Sequence, residues 1–297
     1  MPTLLDFRRR IRSVKNSQQI TRAMKFVAAA RLRRAQEAAL AARPYAQELA
    51  RVLRSTMARI QEPQHPLLER REEKTVLAIV LAGERGLAGA FNANILRKAN
   101  EFFRANRGKE ISTIAVGKKG RDSLKKSGFK LAGEWVNVLA RVEFKTAREI
   151  AKLATDLYAE RKVDSVYIIF SEFKSVMAPN LTVEKLLPVE AISEEKRNDG
   201  EDSGKKEPEA QVDYIYEQPE AQLLDKLLPR YIETQLLRAM LESSASEYAA
   251  RMTAMESATK NAGDVIEALT LHMNKVRQAA ITKEIIEIVS GAAYGSQ

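Results

Sequence analysis

The chain of 297 residues has no cysteine and only two histidines, His65 and His272. A disulfide framework, a thiolate nucleophile and cysteine-type zinc sites are therefore excluded, and two imidazoles cannot by themselves build an all-histidine metal centre. Aromatic residues make up 6%, which leaves few platforms for stacking on bases. No uninterrupted apolar run approaches the ~20 residues that span a bilayer. The opening MPTLLDFRRR has no apolar run after its charges and does not read as a secretory signal. What is present is a 45% apolar complement, enough to fill a substantial core, with 30% charged residues and a net charge of +10. The expectation is a soluble protein of a reducing compartment.

The excess charge is concentrated at one end. Residues 1–43 hold eleven Lys and Arg against two acids, Asp6 and Glu37, whereas the remainder holds 38 basic and 37 acidic groups. Such asymmetry points to an acidic partner for the N-terminal arm. Lys and Arg displace counterions from phosphates, so a basic coiled-coil scaffold for nucleic acid is the rival reading. Only Phe7 and Phe26 are aromatic within the arm, however, and its apolar stripe implies that another helix already covers one face. Nucleic acid is thus not expected as a partner. A membrane-surface helix is disfavoured too, because Ala dominates positions where such helices carry bulky residues.

Between Thr3 and Arg43 there is neither Gly nor Pro, and good helix formers prevail. The spacing predicts a helix over residues 1–62, about 60 Å long up to Arg43 at ~1.5 Å per residue. The apolar register Leu32, Ala35, Ala39, Ala42, Ala46, Leu49, Leu53 runs across Pro44 without a break. An earlier register, Leu4, Phe7, Ile11, Val14, slips before Ile20, Met24, Val27, and local unwinding is expected there. From Arg230 to Ser290 there is no Pro and one Gly. Alternating steps of four and three from Leu241 give Ala245, Tyr248, Met252, Met255, Thr259, Ala262, Ile266, Leu269, Met273, Val276 and Ala280, with Thr259 the one polar member. Two long stripes of this kind need partners. The terminal helices are expected to pair antiparallel as a coiled coil, with homodimerisation of each as the alternative.

The middle alternates strands and helices. Thr75–Ala82, Ile111–Gly117 and Val163–Ser171 are apolar β-rich runs, Leu181–Ile192 adds a further strand, and helical patterns cover Asn92–Asn106, Arg121–Ser127 and Phe144–Arg161. This predicts a small α/β domain over residues 72–192 with a mostly parallel sheet, inserted between the long helices. Residues 193–211 hold eleven charges and no large apolar side chain, and are expected to be a mobile loop before a C-terminal helical region, 212–297.

Little in the sequence suggests chemistry. The run GERGLAG, Gly83–Gly89, lies where a phosphate loop would sit but lacks the Lys-Ser/Thr pair, so it reads as a tight turn. In GRDSLKKS, Gly120–Ser127, Lys125 occupies the position that a Walker loop needs as glycine. Neither histidine has an obvious carboxylate partner, and the carboxylates are scattered. No catalytic residue, cofactor-binding residue or metal ligand is assigned.

Particular residues carry more. IRSVKNSQQITRAMKFVAAARLRR (Ile11–Arg34) and NKVRQAAITKEIIEIVSGAA (Asn274–Ala293) closely resemble the terminal helices of the gamma subunits of F-type ATP synthases. The similarity extends to GERGLAGAFNANI, VDYIYEQPEAQLLDKLLPRYIETQL and EYAARMTAMESATKNAG, and so covers essentially the full chain in order. The resemblance implies a central rotor stalk. In that family an antiparallel coiled coil stands inside a ring of alpha and beta subunits, with a Rossmann-like α/β domain on the membrane side. It implies a non-catalytic subunit of a proton-transporting ATP synthase, coupling ion flow to binding changes at the beta-subunit sites. Partners implied are alpha, beta and epsilon subunits and the membrane c-ring, with membrane contact only through the complex. By the same resemblance Arg277, Gln278 and Thr282 meet the inner loops of the beta subunits, Met24 and Lys25 lie on the facing segment, and Arg251 lies lower on the shaft. Ala88 and Ala90 stand where the family commonly has Cys and Gly, and the thiol-regulated insertion of chloroplast relatives is missing. No transit peptide precedes the first helix, so a bacterial protein at the cytoplasmic face of the inner membrane is expected.

Overall fold

A computed structural model describes residues 3–59, 65–173, 175, 179–189 and 220–294. The charged segment 193–211 lies outside them. The elements in order are α1 (Leu4–Arg59), a 3-10 turn (Pro66–Leu68), β1 (Thr75–Leu81), α2 (Phe91–Ala105), β2 (Glu110–Val116), α3 (Lys118–Lys126), β3 (Lys130–Trp135), α4 (Phe144–Ala159), β4 (Ser165–Phe173), β5 (Pro179–Leu187) and α5 (Glu220–Tyr294). The chain divides into two compact units, residues 1–30 with 251–297, and residues 31–250.

The first unit is a two-helix antiparallel coil. Phe7 meets His272 with ring centroids 5.0 Å apart, Thr21 meets Thr259, and Lys25 meets Glu256, so numbers rise on α1 as they fall on α5. On α5 every member of the stripe from Met252 to Ala280 is buried or half-buried, as its spacing predicts. On α1 the unwinding expected before Ile20 is absent, and the helix is continuous. The seam positions are Leu4, Phe7, Ile11, Val14, Gln18, Thr21, Lys25 and Ala28, an unbroken alternation of threes and fours, with Met24 and Ala29 half-buried on its flanks. The apparent slip comes from assigning only apolar residues to the seam. Gln18 and Thr21 belong to it, while Ile20 and Val27 point outward, 60% and 54% exposed.

The second unit is the α/β domain with the α1 and α5 segments that complete its core. Its sheet has the order β3-β2-β1-β4-β5, parallel except for the antiparallel β4–β5 pair. β1 is central and alternates with period two: Leu77, Ile79 and Leu81 enter a core shared with α4, α5 and Leu53 of α1, whereas Ala78, Val80 and Ala82 face α2 and α3. Fully buried side chains such as Leu53, Ile79, Ile150 and Phe170 each contribute about 1.5–3 kcal/mol by leaving water. Within this unit α1 keeps its stripe across Pro44, which is exposed and so costs no buried contact. α5 likewise continues through Pro229, which is half-buried. From Ala239 to Ala249 it is buried on every side, in keeping with the run of small residues there.

Two local features control the stability of this unit. β2 ends at Gly117, whose φ of 95° and a carbonyl, Ala82 O, only 1.8 Å from where a Cβ would lie both exclude any side chain. Beside the β4–β5 hairpin, half-buried Arg238 of α5 binds Glu184 at 2.7 Å, lies 3.6 Å from Glu242 and sits over the Phe170 ring. Burial above all, with Glu172 and Glu184 adding to it and Arg238 opposing it, pushes the Glu242 carboxyl up from 4.5 to about 6.

Gly117→Ala is expected to cost about 3 kcal/mol, read as a lowered urea midpoint for loss of the α/β domain. For Glu242, the folded state holds a proton that the unfolded chain has released between about pH 4.5 and 6. Its contribution is full below pH 4.5 and disappears as the pH rises through 6. Glu242→Gln should therefore leave the melting temperature unchanged near pH 4.5 and raise stability by up to about 2 kcal/mol at pH 7.5. Equal melting differences at both pH values would contradict the assignment.

Candidate functional site

In an open α/β sheet the ligand crevice lies at the carboxyl ends of the strands, where the connections diverge to either side. Here that point is the end of β1, flanked by β2 and β4. The turn Gly83–Gly89 leaves it with Leu87 at φ 63° and Gly89 at φ 55°, a compact strand-to-helix connection. Asn92 holds the turn shut, its Oδ1 accepting from Gly83 N at 2.8 Å and its Nδ2 donating to Arg85 O at 3.2 Å. Glu84 is buried, and its carboxylate accepts from the backbone N–H groups of Lys118 (3.0 Å) and Val138 (3.1 Å). It occupies the amino end of α3, where the backbone would otherwise receive a phosphate. α5 fills the rest: Ser243 donates to Leu81 O, Ser244 to Leu139 O, Ser246 pairs with Ser171 at 2.7 Å, and the Glu247 carboxylate lies beside Gly83. The crevice is a joint between the sheet and the returning helix.

The histidines are structural. Nδ1 of His65 caps the 3-10 turn by accepting from Leu67 N, and its Nε2 lies 3.5 Å from Asp225, a carboxylate partner that sequence spacing did not reveal. Burial, opposed by Asp225, holds its pKa below 6.5. His272 packs on Phe7. Among the described residues no group of three His, Cys, Asp or Glu side chains could hold a metal ion, and no helix is long and apolar enough to cross a membrane.

The remaining surface of interest is on the coil. Arg277, Gln278 and Thr282 are exposed on α5, with the Thr282 hydroxyl donating to Gln278 O at 2.9 Å. Met24 and Lys25 are half-buried, and Arg251 is half-buried too. Lys25 donates to Glu256 at 2.6 Å, so Met24 and Lys25 do not face the Arg277 group. They lie beside Glu256, some 21 residues back along α5, or about 30 Å. The structure thus separates the six residues into two levels. It also adds residues that the sequence reading overlooked, namely Ile20, Phe26 and Val27 on α1, all more than half exposed around Met24. Their signal was present as the apparent break in register. Beyond Ala280 every described side chain of α5 up to Ser290 is exposed, including Ile281, Ile285, Ile286, Ile288 and Val289.

A family model described as ATP synthase matches residues 3–293. The ATP synthase gamma chain of Solibacter usitatus is 48% identical over 99% of both chains, and that of Desulforamulus reducens is 47% identical with the same coverage. Among solved structures, the central stalk/c-ring of the Tetrahymena thermophila mitochondrial ATP synthase superimposes with a TM-score of 0.59 at 25% identity, covering 80% of this chain and 99% of that one. A chain of the Euglena gracilis mitochondrial ATP synthase in its OSCP/F1/c-ring assembly shares the fold with a TM-score of 0.66 at 18% identity, covering 98% and 93%. The two-helix coil, the plugged α/β domain and the end-to-end match to these bacterial sequences agree: the chain belongs to the ATP synthase gamma chain family.

Proposed function

We propose that the chain is the central rotor shaft of a bacterial F-type ATP synthase, carrying torque between a membrane c-ring and a ring of alpha and beta subunits, at the cytoplasmic face of the inner membrane. The observation that supports this most directly is the coil of α1 and α5, which covers one stripe of each helix and leaves apolar residues outward on both. Exposed apolar surface of this extent calls for a surrounding partner.

The physical requirement is asymmetry. Three identical sites around a ring hold three different nucleotide affinities only if something within the ring is not three-fold symmetric. A single coil supplies that, and its orientation becomes linked to which site is open. Driving a site from mostly tight to mostly open takes about 5.5 kcal/mol of differential binding, which contacts spread along a shaft can provide. The chain itself performs no chemistry, in keeping with a crevice filled by its own helix.

Arg277, Gln278 and Thr282 form the upper contact level with the beta subunits. Arg277 suits an acidic loop through charge-assisted hydrogen bonds. Met24, Lys25 and Arg251 belong to a lower level, where Ile20, Phe26 and Val27 supply apolar contact. The division into an N-terminal helix (1–62), an α/β domain (72–192), a charged loop (193–211) and a C-terminal region (212–297) follows the same reading. The α/β domain with residues 213–228 forms the foot that meets the epsilon subunit and the c-ring.

In the reconstituted complex, Arg277→Ala and Gln278→Ala should each lower ATP-driven proton pumping several-fold per ATP hydrolysed, with the subunit folded by circular dichroism, since both side chains are exposed. Normal pumping in both variants would remove them from the contact. The purified chain should hydrolyse no ATP above background, and measurable turnover would overturn the non-catalytic reading.

A further inference from the structure

The α/β unit has a second hollow at the amino ends of its strands, the end away from the filled crevice. Its volume of about 490 Å3 is enough for a small ligand. Phe103 and Phe129, with ring centroids 4.4 Å apart, and Ile111 give it an apolar lining, and Arg104, Arg107 and Lys109 give it cations. No residue that lines it is acidic.

The backbone around the hollow is fixed by the chain itself. Asn106 closes α2, its N and Nδ2 both donating to Phe102 O at 3.1 and 2.9 Å, and Lys109 N donates to Asn106 O at 3.0 Å. Gly128, at φ 76°, turns the chain out of α3 so that Phe129 N reaches Leu124 O at 3.2 Å.

The charge on this side of the sheet is of one sign. Residues 91–130 hold eleven Lys and Arg against three acids, and each acid is already engaged: Glu101 with Lys98, Glu110 with Lys130 and Asp122 with Arg121. Lys109 is held 2.7 Å from Glu73. Arg104 and Arg107 meet no carboxylate among the described residues. Arg104 suits the carboxyl end of α2, but Arg107 lies beyond that helix and has no such role. Unpaired cations on a surface do not make a site. Two guanidiniums lining an apolar hollow join charge to a surface that excludes water, the two halves of a ligand pocket. A carboxylate presents both oxygens in one plane and is satisfied by one guanidinium fork. A tetrahedral phosphate offers oxygens out of any single plane and can take two forks from different directions.

We propose that this hollow binds a phosphate ester carried on an apolar body, with the phosphate on Arg104 and Arg107 and the body on Phe129 and Ile111. An anionic lipid headgroup and a soluble ester share that chemistry. The hollow lies at the same end of the sheet as the first turns of α5, where Leu224 and Leu228 join the core with Tyr158 and Leu187. On the rotor reading this end is turned toward the c-ring, which makes the lipid the source expected there, whereas the binding itself does not rest on that reading.

Calorimetric titration of the full-length chain with dihexanoylphosphatidylglycerol below its micelle concentration tests the lipid, and phenyl phosphate tests the soluble ester. At least one should bind about tenfold more tightly than inorganic phosphate, which lacks the apolar body. The tighter of the two names the source. Arg104 and Arg107 are exposed, so Arg104→Gln with Arg107→Gln should leave the fold intact by circular dichroism and weaken that ester about tenfold. Lys118→Gln with Lys119→Gln removes the same charge from exposed positions at the other end of α3. At physiological salt that variant should stay within about twofold of native binding, since distant charges are screened. Equal weakening by the two variants would reduce the effect to general charge and overturn the site. Inorganic phosphate binding as tightly as both esters would overturn it too. Absence of binding by either ester, in a chain that still supports pumping in the complex, overturns the site and leaves the rotor reading standing. Ester binding by a chain that joins no alpha and beta ring does the reverse.

Discussion

The burial of one stripe of α5 against other parts of its own chain is the constraint on which the structure depends. α5 runs 75 residues, and no helix of that length stays ordered on propensity alone. In the coil unit its cover is the Leu4–Ala28 face of α1, and in the α/β unit its cover is the sheet. The two environments demand different residues. Against α1 a stripe of Met, Ala, Ile and Leu suffices, with polar residues elsewhere on the circumference. Against the sheet, small Ala and Ser make up six of the eleven buried residues from Ala239 to Ala249, so that the helix can approach β1 closely enough for Ser243 to reach Leu81 O.

That approach changes the meaning of the α/β fold. The end of β1 ordinarily offers backbone N–H groups and a helix amino terminus to a phosphate. Here Glu84 supplies the negative charge from within, satisfying the N–H groups of Lys118 and Val138, and Glu247 closes the space over Gly83. A fold that elsewhere holds a cofactor is used as an anchor for a helix. The near misses in the sequence agree in physical terms: the turn keeps the glycines that permit tight geometry and lacks the residues that would hold phosphate.

The parts of this architecture legible in the sequence were those with a strong period. The heptads of α5, the unbroken apolar run of β1 and the amphipathic pattern of α4 each report burial directly. β3 was not legible, because KLAGEW is an edge strand half exposed along its length, with Lys130 and Glu134 outward and a glycine at 133 that Trp135 and Leu153 press upon. The start of α5 was obscured by Pro229, and that of α3 by a glycine pair. Asp225 meets His65 across 160 positions, a distance in sequence that no spacing rule spans. Among candidate contacts, Arg277, Gln278 and Thr282 are exposed on α5, whereas Met24 and Lys25 lie beside Glu256, farther back along it. The outward Ile20 and Val27 were read as seam because hydrophobicity marks buried seams and exposed apolar surfaces alike.

That ambiguity has a physical resolution in the pairing itself. The face of α1 that meets α5 is fixed by Leu4, Phe7, Ile11, Val14 and Ala28, and on that same face Gln18, Thr21 and Lys25 are half-covered while Ile20 and Val27 stay outward. Its three polar members are tolerated because each finds a partner at hydrogen-bond distance. The ion pair between Lys25 and Glu256 adds little at its exposure, yet its placement at the rim orients a long side chain along the seam. With the seam already filled, apolar side chains left outward beside it are not what folding alone selects. A helix that keeps this arrangement is held by the needs of a surface that some other chain must cover.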